Sequence, residues 1–185
     1  EKLSNISKKI KEQANGRRVV LYQGGISKIR QIDKAVIAVK KISDKFFFVL
    51  MGEKNEYVKE LKKLLPELYY IDYIPAPFHL NITQIADIGF LSYDYSRLNH
   101  IFCAPNKMFE YSMFGLPMLC NDVSGLSSTI GAVQAGLCVD FSSVNKIMSA
   151  LRQLDKNYEK FRENSLNFYN AVDINRLHSE LIENI

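Results

Sequence analysis

Cysteine is scarce in this 185-residue chain, and the few present exclude several chemistries. Cys103, Cys120 and Cys138 are odd in number and lack the paired spacing of a metal knuckle, so neither a disulfide framework nor a structural zinc site is expected. Cys120 and Cys138 sit in apolar runs and read as buried, reduced thiols of a cytosolic protein. No apolar run approaches the roughly 20 residues that cross a bilayer, and no signal peptide is visible. The expected location is therefore the cytoplasm. Charge of one sign is not concentrated either. A net charge of +4 with no dense Lys/Arg run suits a small anionic ligand and does not suit a nucleic-acid partner. There is no Gly-x-Gly-x-x-Gly, hence no dinucleotide fingerprint, and no Ser-His-Asp or Cys-His pairing to make a nucleophile. No repeat or low-complexity linker divides the chain.

What is present is an alternation of helical and extended patterns. At 47% hydrophobic and 24% charged, the composition is that of a globular domain with a substantial core. Leu3, Ile6, Ile10 and Ala14 recur at helical spacing and end at Asn15-Gly16. The chain starts at Glu1 instead of Met and opens in mid-helix, so it is read as a fragment of something longer, with residues 1–16 a helical lead-in. Residues 17–185 are read as one Rossmann-like domain. Its expected strands are Arg18 to Tyr22, Phe46 to Met51, Tyr69 to Ile74, Ile88 to Leu91, Leu116 to Cys120, and Leu137 to Val139. Helices are expected from Ile29 to Ile42, along Val58 to Leu65, from Leu80 to Ala86, from Asn106 to Gly115, and from Gly125 to Ala135. The stripe Ile147 to Phe161 follows, broken near Lys156-Asn157, and Asp173 caps a last helix carrying Ile174, Leu177 and Leu181. Phe46 to Met51 is unbroken apolar, as a parallel strand covered on both faces should be. The whole pattern predicts an α/β domain with a doubly wound parallel sheet.

Such sheets bind ligands beyond the carboxyl ends of their strands. Three stretches fall there: Gly24-Gly25 to Arg30, Tyr73 to Pro77, and the loop and helix from Ser92 to Glu110. The first lets backbone approach a ligand, and Arg30 offers paired donors to a phosphate. The plainer readings are a tight turn and a solvated charge. The stretch from Ser92 to Pro105 is the long irregular one, with Tyr93, Asp94, Arg97, Asn99 and His100. His100 reads as a loop histidine, and nothing beyond the helix start would activate Cys103. In Pro105-Asn-Lys-Met-Phe-Glu110, Asn106 serves as N-cap and Lys107 and Glu110 share a helix face. A helix start, a cation and a carboxylate aimed at one place suit a phosphate-bearing sugar. Taken alone, the plainer reading is a capped helix with one intrahelical ion pair.

Pro105-Asn-Lys-Met-Phe-Glu-Tyr-Ser-Met-Phe-Gly-Leu-Pro117 resembles the donor-site signature of GT-B glycosyltransferases, the large group with family-4-type members. Other landmarks fall in matching order. Gly24 with Arg30 resembles the glycine and phosphate-binding residue, Phe48 to Gly52 a strand entering the site, and Tyr73-Ile74-Pro75 the loop at the nucleobase. Ala86-Asp87-Ile88-Gly89 resembles the entry to the next strand. The resemblance implies the C-terminal half of a GT-B fold, which binds a nucleotide-sugar donor as substrate, needs no cofactor or metal, and works with an N-terminal acceptor domain. It implies that Glu110 holds the ribose hydroxyls. Arg30, Lys107, Gly24, Gly25 and the amides of Asn106 and Met108 would face the diphosphate, with Tyr73 and Ile74 at the base. The implied role is sugar transfer in bacterial surface polysaccharide assembly, with peripheral membrane association of the full-length enzyme. Two positions depart from the pattern. Retaining members usually carry a second Glu shortly before this motif, where Phe102 stands, and a basic residue often found after the first glycine is Gly25. The resemblance also admits a nucleotide-sugar 2-epimerase or a non-catalytic nucleotide-sugar-binding module.

Overall fold

The computed structural model of the chain describes residues 2–93 and 95–171. The strands are β1 (Arg18–Gln23), β2 (Phe46–Met51), β3 (Tyr69–Ile71), β4 (Ile88–Leu91), β5 (Met118–Asn121) and β6 (Gly136–Val139). They form one six-stranded sheet in the order β3-β2-β1-β4-β5-β6, and every pairing is parallel. The helices are α1 (Lys2–Ala14), α2 (Ile32–Lys41), α3 (Glu56–Leu64), α4 (Leu80–Thr83), α5 (Leu98–Ile101), α6 (Asn106–Met113), α7 (Ser124–Leu126), α8 (Val144–Lys156) and α9 (Tyr158–Asn170). Among the described residues no helix is long and apolar enough to cross a membrane.

Alternation along each strand builds two cores. Val20, Tyr22, Phe46, Phe48, Leu50 and Phe90 face α2, α3 and α8 on one side. Val19, Leu21, Phe47, Val49, Met51 and Leu91 face α1, α4 and α6 on the other. β2 is buried along its whole length, which explains its unbroken apolar run. The sheet is therefore doubly wound, as its sequence pattern predicts. Strand order reverses between β1 and β4, so the loops leaving those two strands diverge and open a crevice.

The amino edge of the same strands is closed by charge. The Asp87 carboxylate accepts the backbone N–H of Val19 at 2.8 Å and the Arg18 guanidinium at 3.2 Å. Arg18 also donates to Asp155 at 3.0 Å and stacks over the Tyr158 ring. β1, β4 and the α8–α9 junction are thereby tied at one point.

Several boundaries differ from the sequence expectation, each with a local cause. The helix expected from Ile29 begins at Ile32, after a 3-10 turn at Lys28–Arg30 that Gln31 ends at φ 49°. Arg30 is pinned across the crevice, donating to Ser92 O at 2.8 Å and accepting from the Ser92 hydroxyl, which holds the turn off the helix axis. β3 stops at Ile71 instead of Ile74, because the Asp72 carboxylate takes the Tyr73 N–H at 2.8 Å and ends the ladder. The long loop before Pro105 contains α5. The helix expected up to Ala135 is α7 followed by a π-turn at Ser127–Gly131, where the Thr129 hydroxyl donates to Gly125 O at 2.6 Å. Pro105 occupies the cap position of α6, and Asn106 is its first helical residue, with no side-chain cap bond. Asp94 and the helix expected after Asp173 lie outside the described residues.

α6 is seated directly on β4. Gly89 has no side chain, and the Tyr111 ring occupies the vacated volume, so a Cβ there would sit 2.3 Å from Tyr111 Cδ2. The Tyr111 hydroxyl donates to Leu21 O at 3.2 Å, and the ring is fully buried. Gly89→Ala should therefore lower stability by about 1–3 kcal/mol, the range for overpacking a filled core. Urea denaturation measures this. A midpoint equal to wild type would mean that α6 is not seated on Gly89.

Candidate functional site

Two adjoining hollows open at the carboxyl edge, where β1 and β4 part. The inner one, with a cavity volume of about 160 Å³, is lined by Gln23, Gly24, Gly52, Tyr73, Ile74, His79, Lys107 and Glu110, among others. The outer one, about 590 Å³, shares Gly24 and Tyr73 and adds Gly25, Ser27, Arg30, Arg97 and His100. Their common floor is bare backbone. Gly24 donates its N–H to Met51 O at 2.9 Å, and its φ of 123° is open only to glycine. A Cβ on Gly52 would lie 2.1 Å from Gly24 O, so the two strand ends touch with nothing between them.

α6 supplies the charged groups. Lys107 runs back over Gly24, so a Cβ there would meet its Nζ at 2.8 Å. Burial pushes the Lys107 ammonium below its usual range; the Glu110 carboxylate opposes that shift and Arg30 adds to it. Glu110 is held from the side by other elements. Gln23 Nε2 donates to its Oε2 at 2.6 Å, and His79 Nε2 lies 3.4 Å from its Oε1, an ion pair whenever the imidazole is protonated. Gln23 is in turn held by the Thr83 hydroxyl at 2.8 Å. Among the described residues no salt bridge joins Lys107 to Glu110, so the plain reading of a solvated intrahelical pair does not describe this helix.

Arg30 reaches the outer hollow with its guanidinium 4.3 Å from the Tyr93 ring centroid. Burial pushes the Tyr93 phenol up to about 12. Tyr93 packs edge-on against His100, and the Asn121 side chain holds its backbone, accepting its N–H at 2.9 Å. Burial also pushes the Cys103 thiol up, which makes it a poor nucleophile. All three cysteines are free. Among the described residues no group of three or more His, Cys, Asp or Glu side chains could hold a metal.

The structure thus gathers Gly24, Tyr73, Ile74, Lys107 and Glu110 around one hollow, with Gly25 and Arg30 beside it. Asn106 is exposed and lines neither hollow. Met108 turns into the core, and its N–H is spent on Pro105 O at 3.0 Å. Sequence reasoning missed Gln23, His79 and Thr83. Two signals were readable: Gln23 is a polar side chain ending an otherwise apolar buried strand, and His79 and Thr83 stand four apart on one face of a short helix.

Residues 4–168 match the family described as "Glycosyl transferases group 1". No curated protein matches the chain. Among solved structures, Anabaena Alr3699/HepE in complex with UDP-glucose superposes with a TM-score of 0.77 at 12% identity, covering 99% of this chain and 52% of that one. WaaG, a glycosyltransferase involved in lipopolysaccharide biosynthesis, gives 0.69 at 17% identity, covering 93% and 48%. Sucrose-phosphate synthase from Thermosynechococcus elongatus gives 0.71 at 16% identity, covering 96% and 49%. These likenesses establish the fold, that of the Rossmann-like halves of GT-B glycosyltransferases. The chain spans about half the length of each structure.

The buried ammonium has a measurable consequence. A lysine whose pKa is lowered by folding binds fewer protons in the folded state, so stability rises with pH between that lowered value and the ordinary 10.5. Below that window the burial cost is present in full. Lys107→Met should therefore unfold at higher urea than wild type at pH 7, and the advantage should shrink as pH approaches 10.5. An advantage independent of pH would mean that packing, and not charge burial, is responsible.

Proposed function

The chain belongs to the glycosyl transferases group 1 family, and from that premise we propose that its cleft binds a nucleoside-diphosphate sugar, as the donor half of a glycosyltransferase. One observation carries this reading. Lys107 and Glu110, on one face of α6, line a single hollow over a side-chain-free floor at the sheet's switch point. The backbone floor suits a phosphate chain, and Lys107 and Arg30, lining the two hollows that share Gly24, take its charge. Glu110 is placed to accept from the two ribose hydroxyls, while Tyr73 and Ile74 flank the base.

In the reaction the bond from the sugar's anomeric carbon to the diphosphate oxygen breaks, and the diphosphate leaves with the bonding pair. The protein's part is to orient the donor and to stabilise charge growing on the leaving oxygens through Lys107, Arg30 and the α6 N-terminus. The sugar passes to an acceptor held by a second, N-terminal half, in assembly of a surface polysaccharide in the cytoplasm, with the whole enzyme resting peripherally on a membrane. The HepE structures hold UDP and UDP-glucose, which recommends UDP as the probe. A second reading, a module that binds donor without catalysis, is favoured by Phe102. It is 67% exposed and offers no carboxylate where the family resemblance expects one.

Calorimetry with UDP tests the site. Glu110→Gln should weaken UDP binding by about 1.5–3 kcal/mol, the range for hydrogen bonds to a charged group, which is about tenfold or more in Kd. The 2′,3′-dideoxy analogue lacks the diol and should bind wild type and mutant alike. Equal losses for both ligands would refute the ribose role. Sugar transfer by this chain alone would refute the division into donor and acceptor halves.

A further inference from the structure

Two polar side chains at the inner hollow are buried: Gln23, which lines it, and Thr83, which bonds to Gln23 from α4. Gln23 is 3% exposed and Thr83 0%. Gln23 ends a strand covered on both faces, and of the six strands β1 and β5, which ends at Asn121, close on a buried amide. Burying an amide and a hydroxyl is tolerated only when both are hydrogen-bonded. Here they are bonded to each other and then to Glu110. The Thr83 hydroxyl donates to Gln23 Oε1 at 2.8 Å, and Gln23 Nε2 donates to Glu110 Oε2 at 2.6 Å.

The direction of this chain is fixed by chemistry. An ionised carboxylate only accepts, so the amide must present its nitrogen to Glu110. Its oxygen then faces Thr83, whose hydroxyl must donate. The longer approach of that hydroxyl to His79 O, at 3.3 Å, does not compete with the 2.8 Å bond. Glu110 itself is on α6, Gln23 on β1 and Thr83 on α4, so the relay couples the carboxylate to two elements outside its own helix.

We propose that Gln23, oriented by Thr83, is a positioning residue that holds Glu110 in the rotamer that meets a ribose diol, so that ribose selection is set by a buried relay in the wall of the hollow. The proposal rests on the donor-binding reading above and adds the device that tunes it. One oxygen of Glu110 is committed to Gln23, and the other lies 3.4 Å from His79 Nε2.

The test compares UDP with 2′,3′-dideoxy-UDP on the 185-residue chain. Wild type should prefer UDP by about tenfold or more. Thr83→Val keeps the shape and removes the hydroxyl, and should cut that preference several-fold while leaving dideoxy-UDP affinity unchanged. Thr83→Ser restores a hydroxyl and should recover the wild-type ratio. Gln23→Met should bring the ratio close to one, and in a Glu110→Gln background Thr83→Val should add nothing. If wild type shows no preference, the ribose reading fails and the relay with it. If wild type prefers UDP and Thr83→Val keeps the full ratio, the relay is wrong and the donor reading stands. Equal loss of both ligands in Thr83→Val would show a packing role and overturn the relay. Should Gln23→Met fail to fold, the Val/Ser pair at position 83 decides alone.

Discussion

The seat of α6 on the sheet is the constraint from which the rest of this site follows. Tyr111 fills the space above Gly89 on β4 and donates to Leu21 O on β1, so the helix bridges the two strands that part at the switch point. A helix side chain four positions earlier lies one turn nearer the N-terminus on the same face. That is Lys107, which consequently lies over Gly24 at the end of β1. Glu110, next to Tyr111 in sequence, falls beside Gln23 for the same reason. The far end of α6 is held as well, because Ser165 on α9 donates to Leu116 O at 2.8 Å and Leu166 packs against Gly115. A slip of α6 by one turn would carry cation and carboxylate away together.

The two edges of the sheet treat charge in opposite ways. At the amino edge Arg18 is matched by Asp87 and Asp155, and Asp87 also satisfies the Val19 N–H. These groups close on one another, and their effect is to fix β1 against β4. At the carboxyl edge Glu110 is bonded through one oxygen, while Lys107 is desolvated without a matching salt bridge among the described residues. Desolvating Lys107 costs stability, and under the donor-binding proposal the anionic diphosphate offsets that cost.

The sheet was legible in the sequence because its strands are short apolar runs between punctuating residues. Phe46–Met51 and Ile88–Leu91 match their expected bounds, since burial on both faces leaves no polar residue to blur the ends. α8 and α9 divide at Asn157, where the periodic stripe weakens. The pairing of Lys107 with Glu110 on one face was legible from spacing alone. Their partners were not. Gln23, Thr83 and His79 come from β1, α4 and the turn before it; the crossing from β3 to β4 brings Thr83 and His79 to the site, and the end of β1 brings Gln23. No local pattern encodes that meeting. Asn106 and Met108 were drawn into the expected site by motif, whereas helical geometry turns Met108 to the core and leaves Asn106 exposed.

Gln31 at φ 49°, the early end of β3 at Ile71 and the buried Gln23–Thr83 pair each break a local preference, and all lie around the carboxyl-edge crevice or the segments that leave it. Away from it, Asn15 at φ 48°, Gln134 at φ 52° and the π-turn at Ser127–Gly131 also depart from the pattern, before β1 and β6. A sequence shaped for stability alone would place an apolar side chain at 23 and let the helix after β1 run on from Ile29. Instead the chain bends at Arg30 to meet Ser92, and keeps an amide and a hydroxyl buried under a carboxylate. Departures from local preference thus occur at both edges of the sheet, and those at the carboxyl edge (Gln31, the end of β3 and the Gln23–Thr83 pair) border the candidate site.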